Sequence, residues 1–206
     1  MPAHPHDRAG RQRGSAIIEL ALSLSVAAPL LLGVGALGIQ LGRTLQATEL
    51  TRDVAHMYAM GADFSLAGTQ AIASTLSRNY SLSGTGEAVL LFSTVYKVQQ
   101  TDCTAAGLHT CPNLNLAVFT QRIAMGNTTL RASAFGTPPA SYIDTSGNIA
   151  AVNYCQYSSL AATGFDSVLL LAAGQTATVV EGYFAMPDIN FLGFPNAGGY
   201  YVRFLF

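Results

Sequence analysis

The chain has 206 residues, 50% of them hydrophobic and only 10% charged, with a net charge of −1. Soluble domains average about 25% charged residues, so this composition argues against an ordinary cytosolic enzyme and is far too apolar for a disordered chain. A near-zero net charge also argues against a nucleic-acid partner, which would call for a basic excess.

Charge placement predicts the first element. Arg8, Arg11 and Arg13 crowd the N-terminus, Glu19 follows, and residues 20–42 (LALSLSVAAPLLLGVGALGIQLG) carry no charge before Arg43. About 20 apolar residues cross a bilayer as a helix, so this stretch is long enough to span with some tilt. Three arginines precede it, while beyond it Arg43 and Arg52 are offset by Glu49 and Asp53. The positive-inside bias therefore predicts a cytoplasmic N-terminus and an exported remainder. Residues 167–173 (SVLLLAA) are too short to return. A cleaved secretory signal fits less well, because its apolar core runs about 7–15 residues and the small pair Ala27-Ala28 is followed here by Pro29. Pro29 is expected to kink the span. Gly38 and Gly42 form a small-xxx-small face that would admit another membrane helix, although glycine is common in membrane helices in any case.

The junction, RQRGSAIIEL over residues 11–20, needs its own explanation. An acid at mid-bilayer costs about 2.5–3.5 kcal/mol. If the chain were cut after Gly14, Ser15 would present a new amine, with Glu19 one helical turn away on the same face and able to pair with it or with a neighbouring subunit. The alternative is an uncut signal anchor whose Glu19 snorkels to the head groups.

This arrangement resembles the type IV prepilin processing site, and residues 13–65 (RGSAIIELALSLSVAAPLLLGVGALGIQLGRTLQATELTRDVAHMYAMGADFS) resemble the TadE-like family of tight-adherence (Tad) pilus systems. The Arg-Gly start, Glu19, the Pro-Leu-Leu-Leu centre, the Gly-Arg exit and the Thr-Arg-Asp-Val-Ala continuation carry the likeness. Residues 174–187 (GQTATVVEGYFAMP) carry it more weakly. The resemblance implies a bitopic minor pilin or pseudopilin of the bacterial inner membrane, cut by a prepilin peptidase between Gly14 and Ser15, with Glu19 as the assembly and processing acid. It also implies partners: other pilin or pseudopilin subunits through the N-terminal helix, the inner-membrane assembly platform, and membrane lipid. Leu20 stands where tight-adherence sites often have an aromatic residue.

Past the membrane, Ala47, Leu50, Val54, Met57 and Tyr58 recur at helical spacing, with Glu49, Arg52, Asp53 and His56 on the other face. Residues 15–59 would make a stem of roughly 68 Å at 1.5 Å per residue, stopped near Gly61. Asp63 or Ser65 can cap a second helix with Leu66, Ile72, Ala73 and Leu76 as its apolar stripe. Residues 88–98 and 116–125 read as an antiparallel hairpin, 131–152 as irregular, and 177–186 and 200–206 as two further strands. Glu181 within the third strand is expected to face solvent by period-2 alternation. The expected fold is α+β and pilin-like. It comprises a leader (1–14), a transmembrane helix (15–42), a stem continuation with the second helix (43–80) and an exported antiparallel-sheet domain (81–206).

Cys103 and Cys111 close a short loop at the hairpin tip and are disulfide candidates in an oxidising compartment. Cys155 is the odd one, able to pair with either or stay a buried thiol. A metal site from Cys103, His109, Cys111 and Cys155 matches no common zinc spacing, so no metal is expected. No cofactor is expected either: the glycine turns at 84–87 and 196–200 lack a phosphate-loop lysine. No nucleophile elbow occurs, and no catalytic residue is assigned. Three classes of function follow: a pilus assembly protein; a permanently anchored periplasmic binding or structural protein using Phe191, Phe194, Tyr200 and Tyr201, which core packing would otherwise explain; and, least supported, a tethered enzyme.

Overall fold

The computed structural model describes residues 9–186 and 198–206, with side chains described from residue 16 onward. Helix α1 runs Ala9–Ala59, 51 residues with Pro29 inside it. Its N-terminal part, through residue 43, is one unit; residues 44–186 and 198–206 form the other, so residues 44–80 belong with the sheet. In the second unit α2 (Ala67–Leu76) is followed by β1 (Ala88–Lys97), α3 (Gln100–Ala105), β2 (Ala117–Gly126), α4 (Ala151–Gln156), β3 (Thr176–Phe184) and β4 (Tyr200–Leu205). The layout is α+β, with a long apolar N-terminal helix and a small four-stranded sheet.

The sheet order is β2-β1-β3-β4 and every pairing is antiparallel. The hairpin β1–β2 forms as its β-branched and aromatic content predicts. Its register slips at Thr94/Val95, where a bulge bends the ladder. The long crossover from β2 to β3, residues 127–175, carries α4 and three short 3-10 turns.

One sheet face packs on the last turns of α1. Ala47, Leu50, Val54 and Tyr58 meet Leu90, Phe92, Val180 and Phe184 in one buried cluster. Phe64 stacks on Phe92 at 4.1 Å. The close approach depends on Gly182, since a Cβ there would lie 2.5 Å from Thr51 Oγ1. Tyr58 Oη donates to Gln121 Oε1 and lies 2.7 Å from Thr94 Oγ1, tying the end of the helix to the sheet. Glu49, Arg52, Asp53 and His56 are exposed, as the helical spacing predicts.

The helix ends in a Schellman motif. Ala62 N–H donates to Met57 O, Gly61 N–H donates to Tyr58 O, and Gly61 sits at φ +90°, a conformation that favours glycine. The second helix departs from expectation. Leu66, not Asp63 or Ser65, is its N-cap and makes no side-chain cap bond; Asp63 Oδ1 instead accepts from Ser65 N–H in the preceding turn. Of the expected apolar stripe only Ala73 is buried, while Leu66, Ile72 and Leu76 are exposed. The helix packs through its small residue, Ala73, which joins the buried cluster of α1 and the sheet.

The opposite sheet face is covered as well. The crossover lays Phe135, Ile149, Leu160, Phe165 and Leu171 over Val95, Phe119 and Val179. Lys97 Nζ pins it further, pairing with Asp166 Oδ2 at 2.6 Å.

Candidate functional site

Three groupings of chemistry stand out. The first is the N-terminal stretch of α1. Its large apolar side chains are exposed all round, from Ile17 (68%) to Leu41 (61%). An apolar surface that runs all round a helix is unusual for a helix packed on a water-soluble domain, where one face is polar. Among the described residues α1 is the one helix long and apolar enough to cross a membrane. Ser25 Oγ donates to Leu22 O at 2.8 Å, which satisfies the hydroxyl within the helix. Among the described residues, a Cβ added at Gly38 or Gly42 would meet nothing within 4 Å. Glu19 is exposed on α1. Gly14 and Ser15 are described by backbone alone and lie inside the helix. Arg8, Phe191 and Phe194 lie outside the described residues.

The second grouping corrects an expectation. Glu181 is 2% exposed rather than solvated. Period-2 alternation does put it on the face away from α1, but the crossover covers that face. Glu181 Oε1 accepts from Ala134 N–H at 2.8 Å and from Tyr201 Oη at 2.6 Å; Oε2 accepts from Ser133 Oγ and lies 3.9 Å from Arg122 Nη1. Arg122, itself buried, donates to Ser93 Oγ. Burial pushes the Arg122 pKa down, partly opposed by Glu181. Burial and the bond to Glu181 push the Tyr201 hydroxyl up. Arg131 lies over the Tyr201 ring at 4.2 Å and closes the cluster from outside. Three donors hold this carboxylate, two of them from Ser133 and Ala134 of the crossover, so Glu181 ties the crossover to the sheet. Tyr200 is half-buried against the α1 cluster and lies 3.1 Å from Thr48 Oγ1. The two described members of the proposed aromatic end are therefore packed, not presented.

The third grouping is sulfur. Cys103 and Cys111 are joined in a disulfide, and Cys155 is a buried free thiol. The three Sγ atoms lie within 4.8 Å of one another, a group that does not include His109. Asn113 Nδ2 donates to Tyr154 O and Tyr157 O at 2.8 Å each, and its N–H donates to Cys155 O, so the loop after Cys111 is fastened to α4.

No protein-family profile, curated protein or solved structure matches this chain. The sequence reading could not reach Ser133, Arg122 or Asn113, because nothing in local spacing ties them to partners that tertiary folding brings near. The one available signal was a carboxylate in the middle of an otherwise apolar strand.

Proposed function

We propose that this protein is a minor pilin or pseudopilin of the tight-adherence type, as its TadE-like N-terminus suggests. In this reading it is a single-pass protein of the bacterial inner membrane, with its N-terminus cytoplasmic and its sheet domain periplasmic or carried on the fibre. A prepilin peptidase cuts between Gly14 and Ser15. Glu19 pairs with the new amine or with that of a neighbouring subunit, and the Gly38/Gly42 face packs on other pilin stems at the assembly platform. The role is architectural, with no catalytic step assigned. The observation that carries it is an exposed apolar helix, uncharged over residues 20–42, that has Gly14 and Glu19 ahead of that stretch and whose last turns form the spine of an α+β domain.

A second reading, a permanently signal-anchored periplasmic protein, is favoured by one feature. Helix α1 runs unbroken through the Gly14–Ser15 bond, whereas a peptidase acts on extended backbone, so processing requires the first turns to unwind. N-terminal sequencing and intact mass of protein purified from its native membrane separate the two, with a Glu19→Ala variant alongside. A chain beginning at Ser15 supports the pilin reading. A chain still carrying residues 1–14 overturns it and leaves the anchored protein.

A further inference from the structure

We infer that the three cysteines form an internal thiol–disulfide exchange triad, in which Cys155 takes Cys103 from its partner and releases Cys111 as an accessible thiol. Three observations lead there. All three sulfurs lie within 4.8 Å of one another. Cys103 and Cys155 are both buried and pack in one cluster with Val98 and Val118, while Cys111 is only partly buried at its margin. The segments bearing them are held in place: Asn113 fastens the loop to α4, and Asp102 Oδ2 accepts from Gln99 N–H and from Tyr96 Oη to fix α3.

The step balances without an oxidant. The Cys155 thiol gives its proton to water, and its sulfur forms a bond to Cys103 Sγ. The Cys103–Cys111 bond breaks with its electron pair on Cys111, and that thiolate takes up a proton. One disulfide and one thiol exist before and after. Cys111 is the favoured leaving group because solvent reaches it, and the better-stabilised thiolate leaves faster. The new bond also closes a much longer loop, which constrains the unfolded chain more. Burial pushes the Cys155 thiol pKa up, so exchange is slow at neutral pH and base-activated. The product offers a half-exposed Cys111 thiol, suited to forming a mixed disulfide with an incoming thiol or disulfide protein.

The test uses full-length protein in detergent, incubated at a series of pH values, quenched with acid, labelled with a maleimide and mapped by mass spectrometry. The expected result is a Cys103–Cys155 peptide together with label on Cys111, at an initial rate that rises about tenfold per pH unit and does not depend on protein concentration. Cys155→Ser should abolish both signals, and oxidised Cys111→Ser should carry a Cys103–Cys155 disulfide with no free thiol. Finding only the Cys103–Cys111 peptide at every pH, with label confined to Cys155 after denaturation, would overturn the inference. So would a rate proportional to protein concentration. The wild-type measurement decides even if Cys111→Ser fails to fold.

Discussion

Replacing Glu181 by alanine would strand Ser133 Oγ, Ala134 N–H and Tyr201 Oη and leave Arg122 buried without its counter-charge. Breaking a buried pair from one side costs about 3–5 kcal/mol, so Glu181→Ala should lose stability of that order. Glu181→Gln, which keeps an acceptor, should lose less. The chain contains no tryptophan, so urea unfolding followed by tyrosine fluorescence is the natural measurement, and near-equal midpoints for wild type and Glu181→Ala would refute the anchor role. Tyr58 supplies a pH prediction. Burial raises its hydroxyl pKa to about 12 from an ordinary value near 10. A folded-state pKa above the unfolded one means that the stability is present below pH 10 and is lost as pH rises toward about 12. Tyrosinate absorbance and circular dichroism should therefore change together in that window, and Tyr58→Phe should lose less stability across it than wild type.

Elements were legible in proportion to how local their causes are. The apolar run of α1, the hairpin strands and the last strand follow from residue type and period; the strands form within a residue of their expected limits and α1 ends at Ala59 as expected, but it begins at Ala9, six residues before the expected start at Ser15. The glycine stop after α1 is local too, since φ +90° at Gly61 is unfavourable for any residue with a Cβ. Gly61→Ala should cost about 1–2 kcal/mol, read as a lower thermal midpoint. Gly182 differs. A strand glycine reads as a weakness in sequence, yet here it lets Thr51 of α1 approach the sheet. Gly182→Ala should destabilise by about 1–3 kcal/mol through overpacking, and Thr51→Ser beside it should recover little, because the Oγ1 that obstructs the new methyl group remains. The stripe expected on α2 failed in the complementary way. Amphipathic spacing shows which residues share a face, but not which of them the tertiary fold buries.

At the scale of the whole molecule, the long apolar stretch of α1, long enough to cross a bilayer, is the feature whose membrane role can be tested directly. Placing a charge at its centre, as in Leu31→Arg, costs about 2.5–3.5 kcal/mol of insertion free energy. The variant should therefore shift from the membrane fraction toward the carbonate-soluble fraction. If it remains fully membrane-bound, α1 does not span. Gly38→Leu, which adds bulk to the small-xxx-small face without adding charge, should leave insertion intact and, on the pilin reading, reduce cross-linking to neighbouring helices.

A helix with an uncharged stretch long enough for a bilayer, its polar exit, its glycine stop and the alternating strands all follow from chain-local physics: solvation of side chains and periodicity of the backbone. Sequence reasoning could extract these because no distant residue is needed to cause them. Burial of Glu181, the second covered face of the sheet and the gathering of Cys155 beside Cys103 and Cys111 depend on where the crossover of residues 127–175 lands. That path is decided by long-range packing of Phe135, Leu160 and Phe165 on β1, β2 and β3, an energy shared among residues far apart in the chain and so invisible to any local pattern.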